Sequence, residues 1–326
     1  MRIAIYGAGA IGGHLAARLA RGGAEVSVVA RGAHLRAIQA RGLLLRAADG
    51  EIHCHPRASD NPADLGPQDA VLVCTKTPAL PEVAAGIAPL LREETPVAFV
   101  MNGLPWWFFC GFGGPRDGEA VPEADPDGSV RRVVGTARAV GGVVWSACTV
   151  AEPGVVVSEH PSNRLVLGEI DGRVTERLTR IAALLEAGGM QGRVIPDIRA
   201  EVWAKLMNNL SNGPFCLLSR LGLKPTLEDP AVYAAAVRCA EEAAAIARAY
   251  GGAVEGSAEG RVRRSANIAH KPSILQDLEA GRPMEIDTLF RAPLRLAREA
   301  GVATPTLDLV VTLAIQAARA AGVYRG

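Results

Sequence analysis

A parallel α/β domain followed by an all-helical domain is the fold class predicted for these 326 residues. Three observations predict it. Short apolar runs alternate with helix-periodic segments through the first half, the pattern turns almost wholly helical after Pro196, and a glycine-rich hexamer joins the first strand to the first helix. Strands apolar on both faces and separated by helices belong to parallel sheets covered on both sides.

"RIAIYG" reads as a buried strand, and "AIGGHLAARLARGG" as a helix with Ile11, Leu15 and Leu19 on one face, ended by Gly22-Gly23. "EVSVVAR" is a second strand, "AHLRAIQARG" a second helix, and "AVLVCTK" and "PVAFVMNG" are further apolar strands. Between 133 and 168, "RVVGTARAVGGVVWSACTV", "GVVVSEH" and "RLVLGE" read as strands that extend or edge the same sheet, and 174–188 as a helix. Helical spacing then covers 199–219, 229–250, 256–269, 272–280, 285–300 and 305–321, with Gly and Pro at the junctions. The expected division is an α/β domain at 1–198 and an all-α domain at 199–326. One segment stands apart: "NGLPWWFFCGFGGPRDGEAVPEADPDGSV" (102–130) holds Trp106, Trp107, Phe108, Phe109 and Phe112 and then turns rich in Gly, Pro and acid. Its tail is expected to form a long surface loop, the kind that serves as a lid or binding loop.

Hydrophobic residues make up 49% of the chain and charged residues 21%, as in soluble globular proteins. A net charge of +1 gives no electrostatic case for nucleic acid or an anionic membrane surface. No apolar run reaches the roughly 18–20 residues of a membrane helix. The N-terminus shows no signal-peptide pattern, and the six cysteines are dispersed, as suits reduced thiols. The expectation is a cytoplasmic protein. The histidines form no spaced pair with carboxylates or cysteines that reads as a metal site. The apolar C-terminal helices fit either a homodimer contact or a core, and both stay open.

"GAGAIG" is G-x-G-x-x-G placed between a strand and a helix, the context that makes it a dinucleotide-binding fingerprint of the Rossmann type. Gly7 permits the tight turn, Gly9 lets the backbone approach a pyrophosphate, and Gly12 allows close helix–strand packing. Ala8, Ala10 and Ile11 complete the cradle, whose helix N-terminus offers free N–H groups and a partial positive charge. NAD-binding chains place an acid at the end of the second strand. Here that region holds Arg31, with Arg36 further on, and a guanidinium pairs with a 2′-phosphate in bidentate fashion. NADP(H) is therefore the expected cofactor, with a merely exposed arginine as the alternative. Lys76 and Asn102 stand at the carboxyl ends of the next two strands, where ligands of open α/β sheets bind. A turn role for each stays open.

The segment "EVWAKLMNNLSNGPFCLLSR" (201–220) is an apolar helix carrying one lysine and three asparagines. At 3.6 residues per turn, Asn209 lies about 40° from Lys205, Asn212 about 20° the other way and Asn208 about 60° away. Such a stripe suits a part-buried site needing donors and acceptors, where a lysine has a lowered pKa and gives up a proton near neutrality. A satisfied helix–helix contact is the other reading.

These motifs together, "GAGAIG" with Arg31, "CTK" with Lys76, "MNG" with Asn102, "EVWAKLMNNLSNGP" and "HKPSILQDLEAGRPMEID", resemble the ketopantoate reductases (2-dehydropantoate 2-reductases) of the 6-phosphogluconate-dehydrogenase-like group. They follow the family's order over nearly the whole chain. The resemblance implies Lys205 as general acid, Asn209 in the substrate site, Asn102 near nicotinamide and substrate, and Ser273 on the substrate carboxylate. It also implies that Glu285 holds the substrate hydroxyl and orders Lys205. It departs at Gly213, where the family has asparagine and Asn212 stands one position earlier as a substitute, and in the longer insertion after Asn102. Asp277 reads as orienting its neighbours, and Ser273 and Glu285 also fit helix-start roles. The implied activity is NADPH-dependent reduction of ketopantoate to pantoate. The alternatives are another, bulkier or aromatic 2-oxo acid, motivated by Trp106, Trp107 and Phe108, and a non-catalytic NADP(H)-binding regulator.

Overall fold

The structure, a computed structural model, describes residues 1–326, and the chain divides into two compact units: 1–101 with 105–198, and 102–104 with 199–326.

The first unit carries twelve strands: β1 (Arg2–Tyr6), β2 (Glu25–Val29), β3 (Leu43–Ala47), β4 (Gly50–Cys54), β5 (Arg57–Ser59), β6 (Ala70–Val73), β7 (Val97–Val100), β8 (Ala139–Trp145), β9 (Cys148–Glu152), β10 (Val155–Ser158), β11 (Arg164–Glu169) and β12 (Gln191–Val194). Its helices are α1 (Ala10–Arg21), α2 (Gly32–Arg41), α3 (Leu80–Gly86), α4 (Ser129–Val134) and α5 (Glu176–Ala187). The main sheet runs β12-β11-β8-β7-β6-β1-β2-β5. Every neighbouring pair is parallel except β8–β11. β1 lies between β2 and β6, with Tyr6 opposite both Val29 and Val73, so all three strands end at one edge. The chain winds outward through β2 and β5 and returns to β6, which makes the end of β1 the switch point where open sheets bind ligands. Ile3, Ile5, Leu15 and Leu19 are buried in the shared core, as the apolar strands and the α1 face predict.

One expectation needs correction. The segment 133–168 does not belong to one sheet: residues to Val134 finish helix α4, β8 and β11 join the main sheet, and β9 and β10 form a second sheet ordered β4-β3-β10-β9. β10 pairs in parallel with β3, more than a hundred residues upstream, a long-range choice that local periodicity does not encode. Arg18, buried on α1, donates to both carboxylate oxygens of Asp49 at 2.6 and 2.7 Å and so ties α1 to the β3–β4 turn.

The aromatic start of the 102–130 segment is buried core. Trp106, Trp107 and Phe108 are 2%, 1% and 0% exposed. Trp106 meets Phe99 edge-on at 5.5 Å, and Phe108, Phe109 and Phe112 form a cluster beneath Arg116. Gly141 on β8 is the slot for Trp107: a Cβ there would lie 2.7 Å from the indole. Residues 113–120 are largely exposed loop, and buried Asp125 then accepts the N–H groups of Val130 and Arg131 at 3.1 and 3.0 Å, capping α4. Trp107→Ala is predicted to cost about 3–5 kcal/mol in urea unfolding. A loss below about 1 kcal/mol would mean that the ring is not a core anchor.

The second unit is helical: α6 from Ile198 to Ser219, α7 (Leu223–Leu227), α8 (Pro230–Ala249), α9 (Ala258–Ala266), α10 (Ser273–Glu279), a π-helical turn at Asp287–Arg291, α11 (Ala292–Glu299) and α12 (Pro305–Ala320). α8 packs against α7, α9, α11 and α12. No helix is long and apolar enough to cross a membrane. None of the six cysteines is paired.

Candidate active site

In the first unit, a cavity of about 540 Å³ opens at the switch point, lined by Gly7, Ala8, Gly9, Arg31 and Thr75 among others. The three fingerprint glycines are needed for different reasons. Gly7 has φ +96°, and its Cβ would lie 2.7 Å from the Thr75 methyl. A Cβ on Gly12 would lie 1.9 Å from the Gly7 carbonyl oxygen. A Cβ on Gly9 would meet nothing within 4 Å, so the backbone there faces open space. Gly9 is the N-cap of α1, whose first-turn N–H groups have no intrahelical partners. Thr75 Oγ1 is buried without a hydrogen bond at this cavity. An open glycine, unpaired helix donors and an orphaned hydroxyl fit the diphosphate of a dinucleotide.

Arg31 starts α2 and lines the cavity, and its Nη1 donates to Glu82 Oε2 at 2.7 Å. Arg36 is exposed on α2 and is not among the lining residues. Lys76 is half-buried directly after Thr75, at the start of a 3-10 turn, and is not among them either. The far wall is the β9–β10 hairpin, through Val150, Ala151, Glu152 and Pro153. His34 accepts the Gly154 N–H at Nδ1 (3.1 Å), which holds the hairpin to α2, and burial pushes the His34 pKa down, keeping it neutral. Sequence reasoning missed Thr75, although it stands within "CTK", and missed the hairpin wall, which exists only through the second sheet.

In the second unit, α6 carries Lys205 half-buried. Burial pushes its pKa from the ordinary lysine value down to about 8, against the opposing pull of Glu285 and then Glu201. Glu285 is buried, and Asn102 Nδ2 donates to its Oε2 at 3.3 Å. The backbone explains that meeting. Gly103, at φ +87°, passes so close to Thr288 that a Cβ would lie 2.5 Å from its hydroxyl, and Leu104 N–H donates to the Thr288 carbonyl at 2.9 Å. Asn102 is thus pinned beside the π-helical turn that follows Glu285. Glu285 itself precedes the helix rather than sitting in its first turn, and its carbonyl accepts the Leu289 N–H at 3.0 Å.

The asparagine stripe divides in two. Asn208 Oδ1 accepts from Arg261 at 3.2 Å, and the amide of Asn212, buried, donates to Ser265 at 2.9 Å. Both therefore fasten α6 to α9. Asn209 stays half-buried one turn beyond Lys205. Gly213 is buried beneath Phe290 and Ile274, 3.4 and 3.5 Å from where a Cβ would stand, so a Cβ there would touch both side chains. Ser273 is exposed at the first position of α10 and caps nothing; the Pro272 carbonyl accepts the Leu275 and Gln276 N–H groups. The structure gives Ser273 no hydrogen bond to Lys205, Asn209 or Glu285. Asp277 holds Arg282 Nε at 3.2 Å. No group of three or more His, Cys, Asp and Glu side chains is placed to hold a metal ion.

Comparison with known proteins gives a consistent result. Residues 3–105 match the family described as ketopantoate reductase PanE/ApbA, and residues 197–318 match its C-terminal counterpart. A 2-dehydropantoate 2-reductase of Mesorhizobium japonicum is 42% identical over 99% of this chain and 100% of its own. Among solved structures, a Ralstonia solanacearum MolK2 protein assigned as a ketopantoate reductase is 39% identical with a TM-score of 0.92 over 99% of each chain. The 2-dehydropantoate 2-reductase of Geobacter metallireducens GS-15 is 30% identical, with a TM-score of 0.85 over 97% of this chain and 100% of its own.

Proposed function

The chain belongs to the ketopantoate reductase family, and from that premise we propose that it is an oxidoreductase reducing the C2 ketone of 2-dehydropantoate to the alcohol of pantoate, with a nicotinamide dinucleotide as reductant. The observation that carries the reading is the juxtaposition of half-buried Lys205 with buried Glu285 and Asn102.

A nicotinamide dinucleotide, when held in the first unit's cavity, would supply the hydride for the substrate's carbonyl carbon. Every other requirement falls to this chain's own residues. Gly9, the α1 N-terminus and Thr75 take the diphosphate, and Arg31 takes the 2′-phosphate. Negative charge grows on the ketone oxygen as the bond order falls, and Lys205 Nζ stabilises that charge and delivers its proton there. Burial is what suits the lysine to this task, because a proton held near pKa 8 leaves more readily than one held above 10. Glu285 keeps Lys205 charged before transfer and accepts from the product hydroxyl. Asn102, held by Glu285, and Asn209 offer amides to the substrate, and Ser273 offers an exposed hydroxyl to its carboxylate.

NADPH oxidation with 2-dehydropantoate, against aromatic 2-oxo acids and with NADH as control, tests the reading. A clear preference for 2-dehydropantoate is expected, since the rings that motivated an aromatic substrate are buried in the first unit. The pH profile adds a signed prediction. Reduction uses protonated Lys205, so kcat/KM is expected to be flat up to about pH 8 and then to fall about tenfold per pH unit. The reverse oxidation, which needs the neutral amine, rises through the same range. A reduction rate unchanged to pH 10 would remove Lys205 as the proton donor.

A further inference from the structure

The charges lining the first unit's cavity are unexpected for a site that takes a 2′-phosphate. They comprise one arginine, Arg31, two carboxylates, Glu82 and Glu152, and His34, which burial keeps neutral. Glu82 is the acid in contact with the arginine, at 2.7 Å. It comes from the first turn of α3, 51 residues away in sequence. Asp60 adds a weaker attraction to the same guanidinium. The Arg31 and Glu82 side chains are 62% and 61% exposed, so the pair contributes little to folding stability. Its consequence lies in what the guanidinium has left to offer.

A 2′-phosphate carries about two negative charges at neutral pH and asks for both arms of an arginine fork. A carboxylate already seated on one arm takes a donor and repels the incoming charge. A ribose 2′-hydroxyl is neutral, and a carboxylate accepts its hydrogen bond, which is why acids mark sites for unphosphorylated dinucleotides. Arg31 and Glu82 therefore present the two opposing selectors side by side, on separate helices, at one cavity.

We propose that Glu82 is a cofactor-selectivity residue: it competes with the 2′-phosphate for Arg31 and accepts from the 2′-hydroxyl of the unphosphorylated dinucleotide, narrowing the preference that Arg31 alone would impose. This rests on the reading of the cavity as the dinucleotide site. It adds that the chain discriminates only modestly between the phosphorylated and unphosphorylated cofactors, and that one carboxylate sets the margin.

Calorimetric titration with 2′,5′-ADP and with 5′-AMP tests it without turnover, on the full chain, on Glu82→Gln and on Arg31→Ala. Glu82→Gln is expected to tighten 2′,5′-ADP about three- to tenfold at low salt, the size of an exposed like-charge repulsion, while 5′-AMP binds equally or more weakly. The gain shrinks as salt is raised. Arg31→Ala is expected to lose most of the preference for 2′,5′-ADP. An unchanged ratio of the two affinities in Glu82→Gln overturns the proposal. So does weaker 2′,5′-ADP binding, which would make Glu82 an aid that orients Arg31. If the unaltered chain binds neither nucleotide, the dinucleotide reading fails and the proposal falls with it. If it binds both and only the Glu82 variant is flat, the selectivity assignment alone fails. Matched thermal unfolding of the variants excludes a folding origin for any shift.

Discussion

Lys205→Ala is expected to lower turnover about 10²–10⁴-fold, the usual contribution of a positioned general acid, with dinucleotide affinity largely retained. The two readouts are expected to separate because Lys205 does not line the first unit's cavity, the proposed dinucleotide site. Half-buried Lys205 sits on the long helix α6, and alanine is the best helix former, so the substitution does not threaten the helix. It does remove a cation that interacts with buried Glu285. Stopped-flow turnover and cofactor fluorescence titration measure the two quantities. Near-normal turnover would eliminate Lys205 as the proton donor, and parallel loss of both would make its role structural.

The second large effect concerns two glycines three residues apart. Gly12→Ala places a methyl 1.9 Å from the Gly7 carbonyl oxygen, a backbone atom that cannot rotate aside. The loop and α1 must separate, at about 1–3 kcal/mol of stability, and the displaced helix N-terminus is expected to lose dinucleotide affinity as well. Gly9→Ala points its methyl into open space, with φ −65° that alanine adopts freely. Its stability is expected to stay within about 0.5 kcal/mol, while dinucleotide affinity falls at least about tenfold because the methyl occupies the phosphate's approach. Thermal melts beside calorimetric titration check both. Equal affinity in Gly9→Ala and the unaltered chain would mean that no phosphate approaches there.

Part of the fold is legible in the sequence. Alternation of apolar runs with helical spacing is a local property, so the parallel strands β1, β2, β6 and β7 and their helices could be read from "RIAIYG" through "PVAFVMNG". The aromatic run from Trp106, which motivated an aromatic substrate, carries no period that tells a core segment from a site, since it stands among glycines and prolines. Its burial depends on the slot that Gly141 leaves on a strand some 35 residues further on. Likewise β9 and β10 look like sheet-edge strands until β3 supplies their partner.

By itself the sequence determined the strand–glycine–helix corner, the helical second half, and a lysine with polar neighbours on one helix. Each follows from backbone geometry repeating every two or every 3.6 residues. Tertiary structure alone decided what those side chains face. It turned Asn208 and Asn212 onto Arg261 and Ser265, and brought Asn102 to Glu285 across 183 positions. It also set Glu82 on the arginine that was to select the cofactor. Such pairings join residues far apart in the chain, and their free energy comes from burial and shared hydrogen bonds, which have no period to read.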